Sequence, residues 1–230
     1  MRYVVSDVHG NSELFEVLLN VINFSKNDKM FIVGDFIDKG KNTRKLLDLI
    51  FGKYKDNIIP LAGNHEYDLI KFVTRLTLAN ESDENIEKKC RLFLNENDLN
   101  IRDIDNIMNC QFVYEEDDFI LVHSGVEIDS KNTVIDPELS SIESLVYSRS
   151  FNKSDVLPNC KKCIIYGHTP TFYTNQDYKI IKYLRKEKKG NGLSDFHKIN
   201  IDTGNYLSGI LGTLCLDTME EIYVNKKGRV

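Results

Sequence analysis

The sequence predicts an α/β protein, a four-layer α-β-β-α sandwich with two mixed β-sheets, and three observations predict it. Short apolar runs alternate with amphipathic helical stretches through the first third of the chain, the rhythm of strand, crossover helix and parallel strand. The second half carries clustered strand signals without helical patterns between them, which suggests a second, partly antiparallel sheet. The apolar runs open into loops dense with Asp, Asn, His and Gly, as at the carboxyl edge of an α/β sheet, where ligands bind.

Taken in order, residues 2–5, 30–33 and 58–61 read as buried strands. Between them Leu14, Val17, Leu18, Val21 and Ile22 recur at i, i+3, i+4, i+7 and i+8, one apolar stripe on a helix. Residues 42–51 form a second such helix. From about 67 to 109 the pattern is helical and charged, includes the polar stretch NESDENIEKK, and reads as an insertion over the surface. Strands are expected at 119–122, 163–166, 178–183, 198–201, 210–216 and 221–224. No repeat or compositional break divides the chain, so residues 1–230 are expected to form one domain.

Composition narrows the function classes. The 230 residues carry 30 Lys+Arg against 35 Asp+Glu, a formal net charge of −5, which argues against broad nucleic-acid binding because that needs a basic surface. The five cysteines are odd in number and unevenly spaced, unlike the paired framework of a secreted domain. The first ten residues lack a secretory leader pattern, and no run approaches the roughly 20 apolar residues of a membrane span. A soluble, cytoplasmic protein without a membrane partner is expected; oligomeric state is not legible.

Chemistry concentrates in five short segments that each join a ligand-type side chain to a glycine: Asp7-Val8-His9-Gly10, Gly34-Asp35-Phe36-Ile37-Asp38-Lys39-Gly40, Gly63-Asn64-His65-Glu66, Val122-His123-Ser124-Gly125 and Gly167-His168-Thr169-Pro170. Singly, each has an ordinary structural reading, since Asp and Asn start turns or cap helices and Gly supplies positive φ. Together, at successive strand ends, they form a set. Carboxylates, imidazoles and an amide oxygen suit Mn2+, Fe2+ or Zn2+, and the lack of thiolates argues against a closed structural zinc site. Two such ions sharing one carboxylate could hold a bridging hydroxide and clamp a phosphoryl group, which favours phosphoester hydrolysis.

These residues resemble the calcineurin-like metallophosphoesterases. All five blocks match in order, and Ile201-Asp202-Thr203-Gly204 resembles the strand-turn after the last metal histidine in the branch of bacteriophage lambda protein phosphatase and the diadenosine tetraphosphatases. The resemblance implies that Asp7, His9 and Asp35 bind one metal and Asp35, Asn64, His123 and His168 the other, with Asp35 the bridge. It implies two divalent ions, manganese first, with iron and zinc as alternatives. His65 would be the general acid and Asp38 its partner; Asn64, Lys39 and Arg149 would meet the substrate phosphate. Lys39 stands where the family usually has arginine, a point charge in place of a planar fork; the other reading of Lys39 is a solvent-facing side chain.

The function expected first is a two-metal serine/threonine-type protein phosphatase acting on a phosphorylated protein or small phosphoester. The alternative is a dinucleoside polyphosphate (diadenosine tetraphosphate) hydrolase, and a non-catalytic scaffold is a third reading. Cys160-Lys161-Lys162-Cys163 has the spacing of half a zinc knuckle but no second pair. The run Arg185, Lys186, Lys188, Lys189 reads as a solvated hairpin tip, and His197 as structural.

Overall fold

The computed structural model describes residues 1–78, 83–96, 98–131, 133–153, 157 and 159–230. The chain opens with β1 (Arg2–Val5), α1 (Ser12–Val21), β2 (Lys29–Val33), α2 (Thr43–Asp48) and β3 (Ile58–Leu61). Three helices follow, α3 (Asn64–Leu78), α4 (Asp83–Glu96) and α5 (Ile101–Met108), then β4 (Val113–Glu115), β5 (Phe119–Val122), α6 (Ile142–Tyr147), β6 (Cys163–Tyr166) and α7 (Phe172–Asn175). The last part holds β7 (Ile181–Leu184), β8 (Phe196–Asn200), α8 (Asn205–Ser208), β9 (Leu211–Cys215), β10 (Glu221–Asn225) and β11 (Gly228–Arg229).

One sheet runs β11-β10-β9-β1-β2-β3 and the other β4-β5-β6-β8-β7. β1, β2 and β3 are parallel, with Val5 opposite Ile32 and Val33 opposite Leu61, while β9 pairs antiparallel to β1. In the second sheet β5, β6 and β8 are parallel and β4 and β7 are antiparallel edges. Both sheets are mixed, as expected. The strands at 211–215 and 221–225, grouped by sequence with the second sheet, instead return to the first.

Period-two alternation makes the four layers. Val4, Phe31 and Val33 face Phe119, Leu121, Cys163 and Ile165 across the space between the sheets. Their neighbours Tyr3, Val5, Met30 and Ile32 point outward into a core completed by Leu14, Phe15 and Leu18 of α1 and by Leu46 and Leu47 of α2. On the far side Ile120, Val122, Ile164 and Tyr166 pack against Leu145 and Val146 of α6. Successive side chains alternate faces, so each strand feeds two cores.

The helical insertion is three helices and begins at Asn64, not Tyr67, because the Gly63-Asn64-His65-Glu66 block itself opens α3. Asn80, Glu81 and Ser82 of the NESDENIEKK stretch lie outside the described residues. The helix expected at 42–51 is α-helical to Asp48 and widens into a π turn over Leu49–Lys53. Both Leu49 and Ile50 stay buried there. The expected strand at 178–183 shifts to β7, after a turn at Gln176 with φ 59°. Among the described residues no helix is long and apolar enough to cross a membrane.

Candidate metal centre

The parallel strands β1, β2, β3, β5 and β6 deliver their carboxyl ends to one edge of the sandwich, and each predicted segment is the loop that leaves such a strand. Asp7, His9, Asp35, Asn64, His65 and His168 line a cleft of about 360 Å3 there, together with Lys39 and Arg149. His123 is fully buried beneath it. Four of these side chains hang from backbone in the left-handed region, Asp7 (φ 51°), His9 (50°), Asp35 (52°) and His168 (67°), and Asp38 and Lys39 share it (62° and 58°). A non-glycine residue there costs of order 1–2 kcal/mol, and such strain clusters where a site must converge.

Asp35 divides the site. Its Oδ2 lies 3.9 Å from His9 Nε2 and 3.8 Å from His65 Nε2, while its Oδ1 lies 3.3 Å from His123 Nε2. His9, Asp35 and His65 thus bring ligand atoms together on one side, and Asp35, His123 and His168 on the other. Asp7 stands at the edge of the first group, its Oδ1 3.9 Å from His9 Nε2, with its Oδ2 accepting the His168 amide at 3.0 Å. Asn64 joins the second group, its Oδ1 3.1 Å from His123 Nε2.

Two imidazoles are oriented from behind. His123 Nδ1 donates to the Val33 carbonyl at 2.9 Å and His9 Nδ1 to the Ile37 carbonyl at 3.3 Å, so both aim Nε2 inward, the arrangement that suits metal-ligating histidines. Burial opposes charge on His123, yet the adjacent Asp35 carboxylate overrides it and pushes the pKa up to about 10. Asp35 itself, despite burial, is held well below the usual carboxylate range by His123, His65 and His9. Burial, reinforced by His123, pushes His168 down to about 3, and burial also lowers His9. The ionised Asp35 and the neutral His168 and His9 are in the protonation states a cation needs, whereas His123 holds a proton that a bound cation would displace.

Lys39 is exposed at its stem but turns into the cleft, its Nζ donating to His9 Nε2 at 2.8 Å. The solvent-facing reading of this residue does not hold. A lone pair serves one cation at a time, so the Lys39 ammonium marks where His9 presents its donor. Arg149 lines the same cleft and carries no hydrogen bond or ion pair among the described residues. On the other flank His65 Nδ1 meets Asp38 Oδ2 at 2.7 Å. Burial alone would lower the pKa of His65, but the Asp38 hydrogen bond and the Asp35 charge outweigh it, and the pKa is raised.

Two contributors carried no assigned role in the sequence. Glu66 is fully buried and accepts the backbone amides of Asp35 (2.8 Å), Phe36 (2.9 Å), Ile37 (3.0 Å) and Gly63 (2.8 Å). It fastens the loop after β2 to the start of α3. Burial, with the Asp35 charge, pushes its carboxyl up to about 7. Asp202, also buried, lines the cleft, accepts the Gly204 amide at 2.8 Å, and is raised by burial and by Asp7. The signal for both was present in their blocks, but charge type alone did not show that one glutamate would latch four amides. Gly63 is required here, since a Cβ would collide with Asp35 Oδ1.

The discounted signals fall elsewhere. Cys160 and Cys163 belong to neither ligand group, and Arg185, in the turn between β7 and β8, donates to the backbone carbonyls of Lys161, Lys162 and Ser194. His197 bonds Arg185 and the Leu157 amide, a structural role.

Known proteins resemble the chain in sequence and in fold. A segment of 101 residues, 44% of the chain, is 39% identical to a symmetrical bis(5'-nucleosyl)-tetraphosphatase of Wigglesworthia glossinidia brevipalpis, spanning 35% of that relative's length. A longer match of 190 residues, 80% of the chain, is 25% identical to the protein of that name from Psychromonas ingrahamii and spans 62% of it. The chain thus spans less than two thirds of the length of either relative. Among solved structures, one provisionally described as a diadenosine tetraphosphatase superposes with a TM-score of 0.66 at 15% identity, covering 97% of this chain and 92% of that one. A metallophosphoesterase from Sphaerobacter thermophilus superposes with a TM-score of 0.54 at 15% identity, covering 100% and 87%. The model of the family described as calcineurin-like phosphoesterase matches residues 2–200, a span that contains every ligand loop described above, and on that match the chain belongs to the calcineurin-like phosphoesterase family.

Proposed function

We propose that the chain is a two-metal phosphoester hydrolase whose substrates are dinucleoside polyphosphates. The observation that carries the hydrolase is the division of Asp35, one carboxylate oxygen toward each ligand group, in a cleft that Arg149 also lines. The relatives named for bis(5'-nucleosyl)-tetraphosphate favour the substrate. The donor set fits two divalent ions, with Asp7, His9 and Asp35 for one and Asp35, Asn64, His123 and His168 for the other. Such ions, when bound, neutralise phosphoryl charge and lower the pKa of a coordinated water. Manganese is the first choice, because carboxylate, amide and imidazole suit it.

Around that centre the chain's own groups divide the work. Arg149 supplies a fork for phosphate oxygens and Lys39 a movable point charge; Asn64 lines the cleft beside His123. His65, protonated at Nε2 and held at Nδ1 by Asp38, gives a proton to the leaving oxygen. A raised pKa keeps that proton on the ring to higher pH, and activity falls as pH rises through it. Asp38→Asn removes the carboxylate that supports the charge, so the alkaline limb of a kcat-against-pH profile on a phosphoserine peptide, whose alkoxide needs the proton, is expected to move to lower pH. An unmoved limb would remove His65 from this role.

The second reading is a serine/threonine-type protein phosphatase, favoured by the Gly63-Asn64-His65-Glu66 block and by Arg149. The deciding experiment measures turnover of diadenosine tetraphosphate, a phosphoserine peptide and p-nitrophenyl phosphate after chelator treatment and again after added Mn2+. Turnover is expected to vanish with the chelator, return with Mn2+, and favour the dinucleotide. Preference for the peptide would establish the second reading, and silence on all three with no metal bound would establish a scaffold.

A further inference from the structure

Two tyrosines stand on the rim of the cleft with most of their surface in solvent, Tyr173 on α7 at 65% exposure and Tyr206 on α8 at 62%. Other tyrosines here are tied by their hydroxyls, Tyr67 to Glu143, Tyr147 to Asp68 and Tyr166 to Asn152. Among the described residues neither the Tyr173 nor the Tyr206 hydroxyl has a hydrogen-bond partner; the Tyr173 ring meets Phe172 in a T-shaped contact, and Phe172 in turn stacks on Tyr178 at 4.8 Å. Their supports, by contrast, are fixed. Asn205, beside Tyr206, donates to the Asp7 carbonyl, and the Thr171 amide, two residues before Tyr173, donates to the Asp202 carbonyl at 2.9 Å. A Cβ on Gly204 would lie 3.2 Å from Pro170 Cβ, so the loops bearing the two short helices are packed together and anchored on a proposed metal ligand.

We infer that Tyr173 and Tyr206 form a stacking rim that holds a nucleobase of the substrate while its phosphates lie over Asp35, Arg149 and Lys39. A ring with a free face, mounted on a rigid support and restricted to two side-chain torsions, loses little entropy when it is covered. Every base has a π face, and stacking on an aromatic side chain is sequence-tolerant. Anionic phosphates on one side of the cleft and flat aromatic surface on its rim match a nucleotide at both ends of the molecule. The assignment rests on the dinucleoside polyphosphate reading and supplies the groups that would set its selectivity.

The test uses the Mn2+-loaded chain and a methylene-bridged diadenosine tetraphosphate that cannot be hydrolysed, with binding followed by calorimetry. Tyr173→Ala and Tyr206→Ala are each expected to weaken binding about tenfold, and Tyr173→Phe and Tyr206→Phe to restore it, since phenylalanine keeps the ring and drops only the hydroxyl. In turnover, the ratio of kcat/KM for diadenosine tetraphosphate over inorganic tetrapolyphosphate, the same phosphate chain without bases, should fall by the same factor in the alanine variants. Equal binding by all variants, no rescue by phenylalanine, no binding by the parent chain, or a loss confined to a phosphoserine peptide would each overturn the rim. Ring-dependent binding without hydrolysis would instead overturn the proposed reaction and leave the rim standing.

Discussion

His65→Asn is expected to lower kcat on an alkyl phosphate such as a phosphoserine peptide by roughly 10²- to 10⁴-fold, the usual contribution of a positioned general acid. The effect should shrink with the leaving group. A serine alkoxide leaves only if a proton reaches it, whereas p-nitrophenolate and the nucleotide leaving group of a dinucleoside polyphosphate are weak bases that carry their own charge. The geometry supports the assignment because the His65 ring is held at Nδ1 by Asp38 at 2.7 Å and keeps Nε2 toward the cleft. Steady-state rates on the three substrates check it. Losses of equal size would mean that His65 acts by holding Asp35, 3.8 Å away, and not by proton transfer.

Glu66→Ala is expected to destabilise the fold by about 3–5 kcal/mol, the cost of breaking a buried polar network by removing one partner. The carboxylate accepts four backbone amides, three of them from consecutive residues of the loop after β2, and alanine would leave those donors buried without partners. Glu66→Gln should fall between, because one carbonyl oxygen still accepts while the new amide group faces donors. Urea denaturation gives the stability, and calorimetric titration with Mn2+ gives the second readout, since a loosened loop no longer fixes Asp35. A loss of under about 1 kcal/mol would mean that water replaces the latch.

Much of this was legible in advance because it rests on local signals. The loops that converge on the cleft were legible from side-chain type beside glycine, and strands such as β1, β2, β3, β5 and β6 from short apolar runs whose register the inter-sheet core then enforces. What escaped depended on distant partners. β4 is short and only partly buried, and its strand state comes from pairing Val113 with Val122. The return of β9 to the first sheet follows from Tyr3 pairing with Cys215, a contact across the whole chain that no periodicity reports. Lys39 was ambiguous because a lysine's direction depends on what lies opposite, and here that is a neutral His9. Tyr173 and Tyr206 belong to no motif, and only the packing of Gly204 against Pro170 brings their loops together at the cleft.

The proposed ligands come from both halves of the sandwich: Asp7, Asp35 and Asn64 follow strands of one sheet, and His123 and His168 follow strands of the other. Cations gripped by this set would rivet two sheets that otherwise meet through an apolar core and a few polar links such as His123 to the Val33 carbonyl. Occupancy would then be mechanical as well as chemical, with the emptied centre freeing the halves to breathe apart at the one edge where substrate must enter.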